Sequence, residues 1–234
     1  MRLALEGARL RFGGHVVLDS IDLEIGDGEV LGLVGPNGSG KSSLINALSG
    51  IYPLSAGRLL IDGVDATSWP PHRIAAHGVA RTVQNTRVFE RLTVLDNVRA
   101  VRGCGRAGAE ALLEDVGLGD LGHAMAATLG FAQRRRLDLA RALAQEPRAL
   151  LLDEPSAALT AAETDAMIDL LARVALPGRT VIVIEHKIHL IAALCPRMAV
   201  LDMGRKVAEG PVAALCEDES VRAIYFGGRD PEHA

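Results

Sequence analysis

The sequence predicts an α/β protein built on a largely parallel sheet. Short apolar runs at Val30–Val34, 149–152 and Thr180–Ile184 have the make-up of strands buried on both faces. Stretches of helical character separate them, the alternation expected of β-α-β units. Of 234 residues, 49% are hydrophobic and 23% charged, enough to bury a core without disulfides or metals.

The elements follow in order. Ile21, Leu23 and Ile25 alternate with Asp22 and Glu24, the period of a half-exposed strand, and Gly26, Asp27 and Gly28 mark the turn after it. Val30–Val34 reads as a buried strand, 35–40 as a glycine-rich loop, and 42–48 as a helix stopped by Gly50. Residues 58–61, ahead of Asp62-Gly63, suit a further strand. Ser68 is expected to cap a helix that starts near Pro70 and ends before Gly78. A strand is expected over 79–83. Thr93 and Asp96 have capping-box spacing, with Asp in place of Glu. Residues 86–145 hold no clear buried strand and are expected to form a helical insertion, broken at Gly103, Gly105, Gly108, Gly117 and Gly119. Beyond 149–152 come a helix over 161–174, the strand Thr180–Ile184 and a short helix over 187–194. A hairpin around Met203-Gly204 joins 198–201 to 206–208.

Composition excludes several classes. Lys plus Arg is 25 and Asp plus Glu is 29, a net charge of −4, which argues against a dedicated nucleic-acid binder. The three cysteines, Cys104, Cys195 and Cys216, fit no zinc spacing and read as free thiols of a reducing compartment. Residues 1–11 mix charged and aliphatic side chains, unlike a signal peptide, and no apolar run spans a bilayer. The expectation is a cytoplasmic protein whose membrane role would come through a partner.

Gly35-Pro36-Asn37-Gly38-Ser39-Gly40-Lys41-Ser42 satisfies G-x-x-x-x-G-K-[ST] between an expected strand and helix. Glycines let backbone N–H groups curl around phosphate oxygens, and the helix N-terminus adds positive potential. Lys41 is expected to neutralise the outer phosphates, the Ser42 hydroxyl to ligate Mg²⁺, and Ser43 to reach the α-phosphate. This points to a nucleoside triphosphate. The apolar run 149–152 ends in Asp153-Glu154. A buried strand delivers its C-terminal residues to the ligand crevice of an open α/β sheet. Asp153 is then expected at Mg²⁺, and Glu154 beside the γ-phosphate, polarising the attacking water.

Further residues resemble the ATP-binding subunits of ABC-type transporters over nearly the whole chain. Phe12 lies where that family keeps an aromatic that stacks on adenine; a core phenylalanine on an N-terminal strand is the competing reading. Gln84 resembles the family's glutamine at Mg²⁺ and water, and His186 its histidine at the γ-phosphate. The family signature Leu-Ser-Gly-Gly-Gln is matched only by Leu129 and Gln133 of Leu129-Gly130-Phe131-Ala132-Gln133. The resemblance implies that Gly130 and Gln133 contact nucleotide held by a second subunit. Arg134, Arg135 and Arg136 follow, and a solvated face is favoured for them.

The signature's aromatic third place, the run Arg81 to Phe89, Phe12-Gly13-Gly14 and Glu185-His186 resemble the branched-chain amino acid importer subgroup. Two departures stand out. Thr160 ends the loop Ser156-Ala157-Ala158-Leu159-Thr160, where the family has Asp or Asn, and Lys187 stands where the subgroup has Asp.

The resemblance implies a RecA-like P-loop core, an N-terminal antiparallel β part and a helical subdomain near 86–145. It divides the chain into an ATP-binding domain over 1–228 and a tail over 229–234. It implies ATP and Mg²⁺, a head-to-tail dimer with a second ATP-binding subunit, and a transmembrane permease docked near 84–93. A solute-binding protein would act indirectly. The chain would sit peripherally on the inner face of the membrane. The main alternative is a regulatory subunit that binds ATP, hydrolyses it weakly and pairs with an active paralogue. A soluble ABC protein of DNA repair or translation would need a second ATPase half or a long coiled coil.

Overall fold

The computed structural model describes residues 1–84 and 87–226. Asn85, Thr86 and the expected tail over 229–234 lie outside the described residues.

Two sheets share the work. β1 (Leu3–Phe12), β2 (His15–Ile25), β4 (Ala56–Ile61) and β5 (Val64–Asp65) form an antiparallel sheet in the order β2-β1-β4-β5. The second sheet has six strands: β3 (Val30–Val34), β6 (Val79–Arg81), β7 (Ala149–Asp153), β8 (Thr180–Ile184), β9 (Arg197–Asp202) and β10 (Arg205–Pro211). Their order is β10-β9-β3-β8-β7-β6, parallel except for the hairpin strand β10. Every residue of β7 and β8 is buried, as their uninterrupted apolar runs require.

One hydrophobic core lies between the sheets. Leu3, Leu23 and Ile61 meet Leu31, Leu151 and Ile182 there, with Leu44 and Leu48 of α1 (Lys41–Leu48). A second core covers the opposite face of the six-stranded sheet. Leu150, Leu152, Val181 and Val183 pack against Leu137 and Leu139 of α5 (Phe131–Leu143). These residues alternate along β7 and β8, so one strand feeds both cores.

The stretch around 86–145 is helical, as expected: α3 (Val94–Arg99), α4 (Arg106–Asp115), two short 3₁₀ turns and α5. Thr93 caps α3 by accepting from Asp96 N at 3.0 Å. The box is half made, because the shorter Asp96 side chain bonds the Thr93 hydroxyl at 2.7 Å.

Three expectations need correction. Ser68 does not cap α2 (Pro71–Ala76): Pro70 is the N-cap, and the helix starts beyond the reach of Ser68. The strand expected over 79–83 stops at Arg81, because side chains of α5 take both backbone groups of Val83. Asp138 Oδ2 accepts its N–H at 3.2 Å, and Arg135 donates to its carbonyl at 3.2 Å. The helix expected over 161–174 is α6 (Ala161–Leu170) followed by one π turn over Leu171–Ala175. After α7 (Ile188–Leu194), the last described elements are the helices α8 (Val212–Glu217) and α9 (Glu219–Phe226).

Candidate nucleotide site and its catalytic cluster

The loop between β3 and α1 is shaped by its glycines. Gly35 has φ +147°, and a Cβ there would stand 2.1 Å from the Leu201 carbonyl oxygen. Gly40 has φ +106° and precedes Lys41, the first residue of α1. Only glycine lets the backbone turn this tightly against β9 and the β2 segment. Ser39 is buried within the loop. Asn37, Gly38, Gly40, Lys41, Ser42 and Ser43 line a cleft of about 320 Å³, with Gln84, Glu154 and Val17.

Lys41 is 5% exposed, and its Nζ donates to the Gly35 and Pro36 carbonyls at 2.8 Å each. Burial lowers the ammonium pKa, while Glu154 and Asp153 work to raise it. An arriving phosphate would exchange two carbonyl acceptors for charged oxygens, the stronger pairing.

Opposite this loop, three strand ends converge. Gln84 follows β6, Glu154 follows β7 and His186 follows β8. Gln84 Nε2 donates to Glu154 Oε2 at 2.8 Å, and His186 Nε2 lies 2.7 Å from Glu154 Oε1. Both carboxylate oxygens are thus held, and Glu154 has φ +50°, uncommon for a residue with a Cβ. Strain of this kind persists only where neighbours over-determine the geometry.

Asp153 sits behind Glu154. Its Oδ2 is 3.6 Å from Arg81, while its Oδ1 is buried without a hydrogen-bond partner. Burial pushes its carboxyl pKa up; the Arg81 guanidinium pulls it down. A buried carboxylate oxygen with an unspent lone pair suits a cation. Ser42 in the cleft adds a second hard oxygen, and phosphate and water would complete an Mg²⁺ shell. No group of three or more His, Cys, Asp or Glu among the described residues is arranged to hold a metal by itself.

Other expected site residues lie elsewhere. Phe12 is 48% exposed, so the core reading fails; its ring meets Tyr52 edge-on at 5.0 Å and does not line the cleft. Gly130 is the N-cap of α5, and its N–H donates to Gln133 Oε1 at 2.9 Å, so these two signature residues bond each other. The arginines after them are not a solvated face. Arg135 is 6% exposed, and Arg134 donates to the Leu129 and Ala127 carbonyls. All three cysteines are free, and burial pushes the Cys195 thiol up to about 12.

Sequence reasoning gave Val17 and Glu185 no role in the site. Glu185 is 2% exposed and accepts the Ser156 N–H at 2.7 Å and the His186 N–H at 3.0 Å. Its signal was available: a carboxylate closing a buried strand, the pattern that singled out Glu154.

The sequence model of the ABC transporter family matches residues 18–157, more than half of the chain. The chain belongs to the ABC transporter family. Like other ABC ATPases it hydrolyses ATP. It is 32% identical to the high-affinity branched-chain amino acid transport ATP-binding protein BraF of Pseudomonas aeruginosa. The alignment covers 96% of this chain and 97% of BraF. It is also 31% identical to the lipopolysaccharide export system ATP-binding protein LptB of Escherichia coli, over 92% of this chain and 93% of LptB. The ADP conformation of MJ1267, an ATP-binding cassette of an ABC transporter, superposes with a TM-score of 0.87 at 26% identity. That match covers 97% of this chain and 99% of MJ1267. The α/β fold read from the strand pattern is therefore the ABC cassette, with a P-loop core.

Proposed function

We propose that this ABC ATPase powers solute movement through a partner transmembrane permease, and that the solute is a branched-chain or other amino acid. One observation carries the catalytic reading: Gln84, Glu154 and His186 are hydrogen-bonded together across the cleft from Lys41. The likeness to BraF supports an amino acid as solute, and the 31% identity to LptB is why transport must be measured. A second ATP-binding subunit, and a solute-binding protein acting through the permease, complete the proposed assembly. No described helix is long and apolar enough to cross a membrane, and in this reading the permease supplies the path for solute.

In this reading the loop amides and Lys41 bind the triphosphate and fix its γ-phosphorus before Glu154. Ser42 and Asp153 would hold Mg²⁺, with Gln84 beside it. When bound, the ion supplies positive charge to the β- and γ-phosphate oxygens. The Glu154 carboxylate accepts a hydrogen bond from water and draws its proton as the oxygen attacks phosphorus in line. The bond from phosphorus to the β,γ-bridging oxygen breaks, and ADP and phosphate leave. His186 and Gln84 orient the carboxylate, and His186 is also assigned to the γ-phosphate. Phe12 is assigned to the adenine; Gly130 and Gln133 are assigned to nucleotide on the second subunit. There the Gly130–Gln133 bond would have to open.

Reconstitution tests the function. The chain, with a permease pair in proteoliposomes and a solute-binding protein loaded with leucine, should show stimulated ATP hydrolysis and leucine uptake. ATP turnover that no amino acid stimulates would reject the solute class, and turnover lost with Lys41→Ala would still leave the ATPase in place.

A further inference from the structure

We infer that Lys187 is a positioning residue that locks the loop after Glu154 to His186 and so sets the geometry of the Glu154–His186 pair. The inference rests on the proposed role of Glu154.

Lys187 directly follows His186. All three ammonium hydrogens have an acceptor: the Ser156 carbonyl at 3.3 Å, the Leu159 carbonyl at 3.1 Å and Thr164 Oγ1 at 2.7 Å. Thr164 Oγ1 in turn donates to the Thr160 carbonyl at 2.8 Å. One side chain therefore reaches the start, the end and the far anchor of the loop 156–160. Glu185, on the other side of His186, takes the Ser156 N–H at 2.7 Å. Ser156 is gripped by its N–H from one neighbour of His186 and by its carbonyl from the other.

The loop needs such restraint. Glu154 has φ +50° and Ala158 φ +59°, two non-glycine residues in the left-handed region close together. Left alone, each would relax, and the carboxylate would move with the chain. The His186–Glu154 contact at 2.7 Å tolerates little movement before it is lost. An acidic side chain at 187, shorter and without donors, could make none of these three bonds. Lys187 does not line the nucleotide cleft. Its removal should therefore act on turnover and not on ATP binding.

The test is steady-state ATPase of the full chain carrying Lys187→Met, Lys187→Arg, Thr164→Val or Glu154→Gln, with thermal melts, assayed well below each Tm. Lys187→Met should lower kcat about tenfold, the equivalent of one charge-assisted hydrogen bond, with KM for ATP within about twofold. Lys187→Arg, which keeps the charge and the donors, should recover most of that loss. Thr164→Val, a near-isosteric change, should lower kcat in the same direction and decides the matter if Lys187→Met does not fold. An unchanged kcat in the Lys187→Met or Thr164→Val chain overturns the inference. So does a KM that rises with the loss of kcat, or no recovery with arginine. If Glu154→Gln turns over normally, the catalytic reading falls and takes this inference with it. If Glu154→Gln is inactive while Lys187→Met is normal, only the inference falls.

Discussion

Glu154→Gln separates catalysis from binding because of how the carboxylate is held. Gln84 Nε2 donates to one oxygen at 2.8 Å, and His186 Nε2 stands 2.7 Å from the other. A glutamine amide has one acceptor and one donor group in the same plane. Its oxygen must face Gln84, leaving its NH₂ toward His186. A neutral imidazole protonated on Nδ1 accepts there, so both contacts survive with little rearrangement. What weakens is charge assistance: a bond to a charged group is worth about 1.5–3 kcal/mol and a neutral one about 0.5–1.5 kcal/mol. Relief from burying a carboxylate, 9% exposed here, offsets part of that loss. The fold and the nucleotide cleft should persist.

The amide cannot take a proton from water. A positioned general base contributes about 100-fold or more, so kcat should fall by at least that factor, about 2.7 kcal/mol of barrier. Phosphate release measured by a coupled assay reads the rate. Calorimetric titration with a non-hydrolysable ATP analogue reads the affinity, expected within about threefold of wild type. Turnover within tenfold of wild type, roughly 1.4 kcal/mol, would remove Glu154 from the role of base. Rate and affinity lost together would mean that the carboxylate shapes the cleft and does not act on water.

Three further predictions follow from single residues. Lys41→Ala removes the side chain that bonds both the Gly35 and Pro36 carbonyls, and with it the cation proposed for the phosphates. Nucleotide affinity should fall about 100-fold or more by calorimetry, and tight binding would exclude this loop as the phosphate site. Gly35→Ala places a methyl 2.1 Å from the Leu201 carbonyl at φ +147°. Stability should drop by about 3 kcal/mol or more in urea titration, and a near-normal midpoint would refute the packing described for β3 and β9. Burial pushes the Asp138 carboxyl pKa above its ordinary 3.8, so the native state holds that proton more tightly than the unfolded chain does. The residue's contribution to stability is largest at low pH and declines as pH rises through the raised value. Asp138→Asn removes that slope, so its Tm relative to wild type should improve as pH rises from below the ordinary carboxylate value through the raised one. A constant difference would mean that the carboxyl titrates normally.

Much of the protein was legible in the order of its residues. β3, β7 and β8 are continuous apolar runs, and only burial on both faces accounts for them. The phosphate loop is equally local: glycine positions, Lys41 and Ser42 belong to one turn and the first turn of one helix, and spacing alone conveys their geometry. Asp153 and Glu154 were legible for the same reason, being the polar end of a buried strand.

Tertiary structure decided what lies between elements. Gln84 and Glu154 are 70 residues apart, and Glu154 and His186 are 32 apart. They meet because β6, β7 and β8 are adjacent and parallel, so their C-terminal ends open on one side. Periodicity tells how a strand is buried, not which strand lies beside it. The truncation of β6 by Asp138 and Arg135, the burial of Arg135 and the exposure of Phe12 were likewise set by neighbours distant in sequence. So was the grip of Lys187 on the loop after Glu154, because a lysine's reach is fixed by its own length but its acceptors are chosen by the packing of α6 and α7.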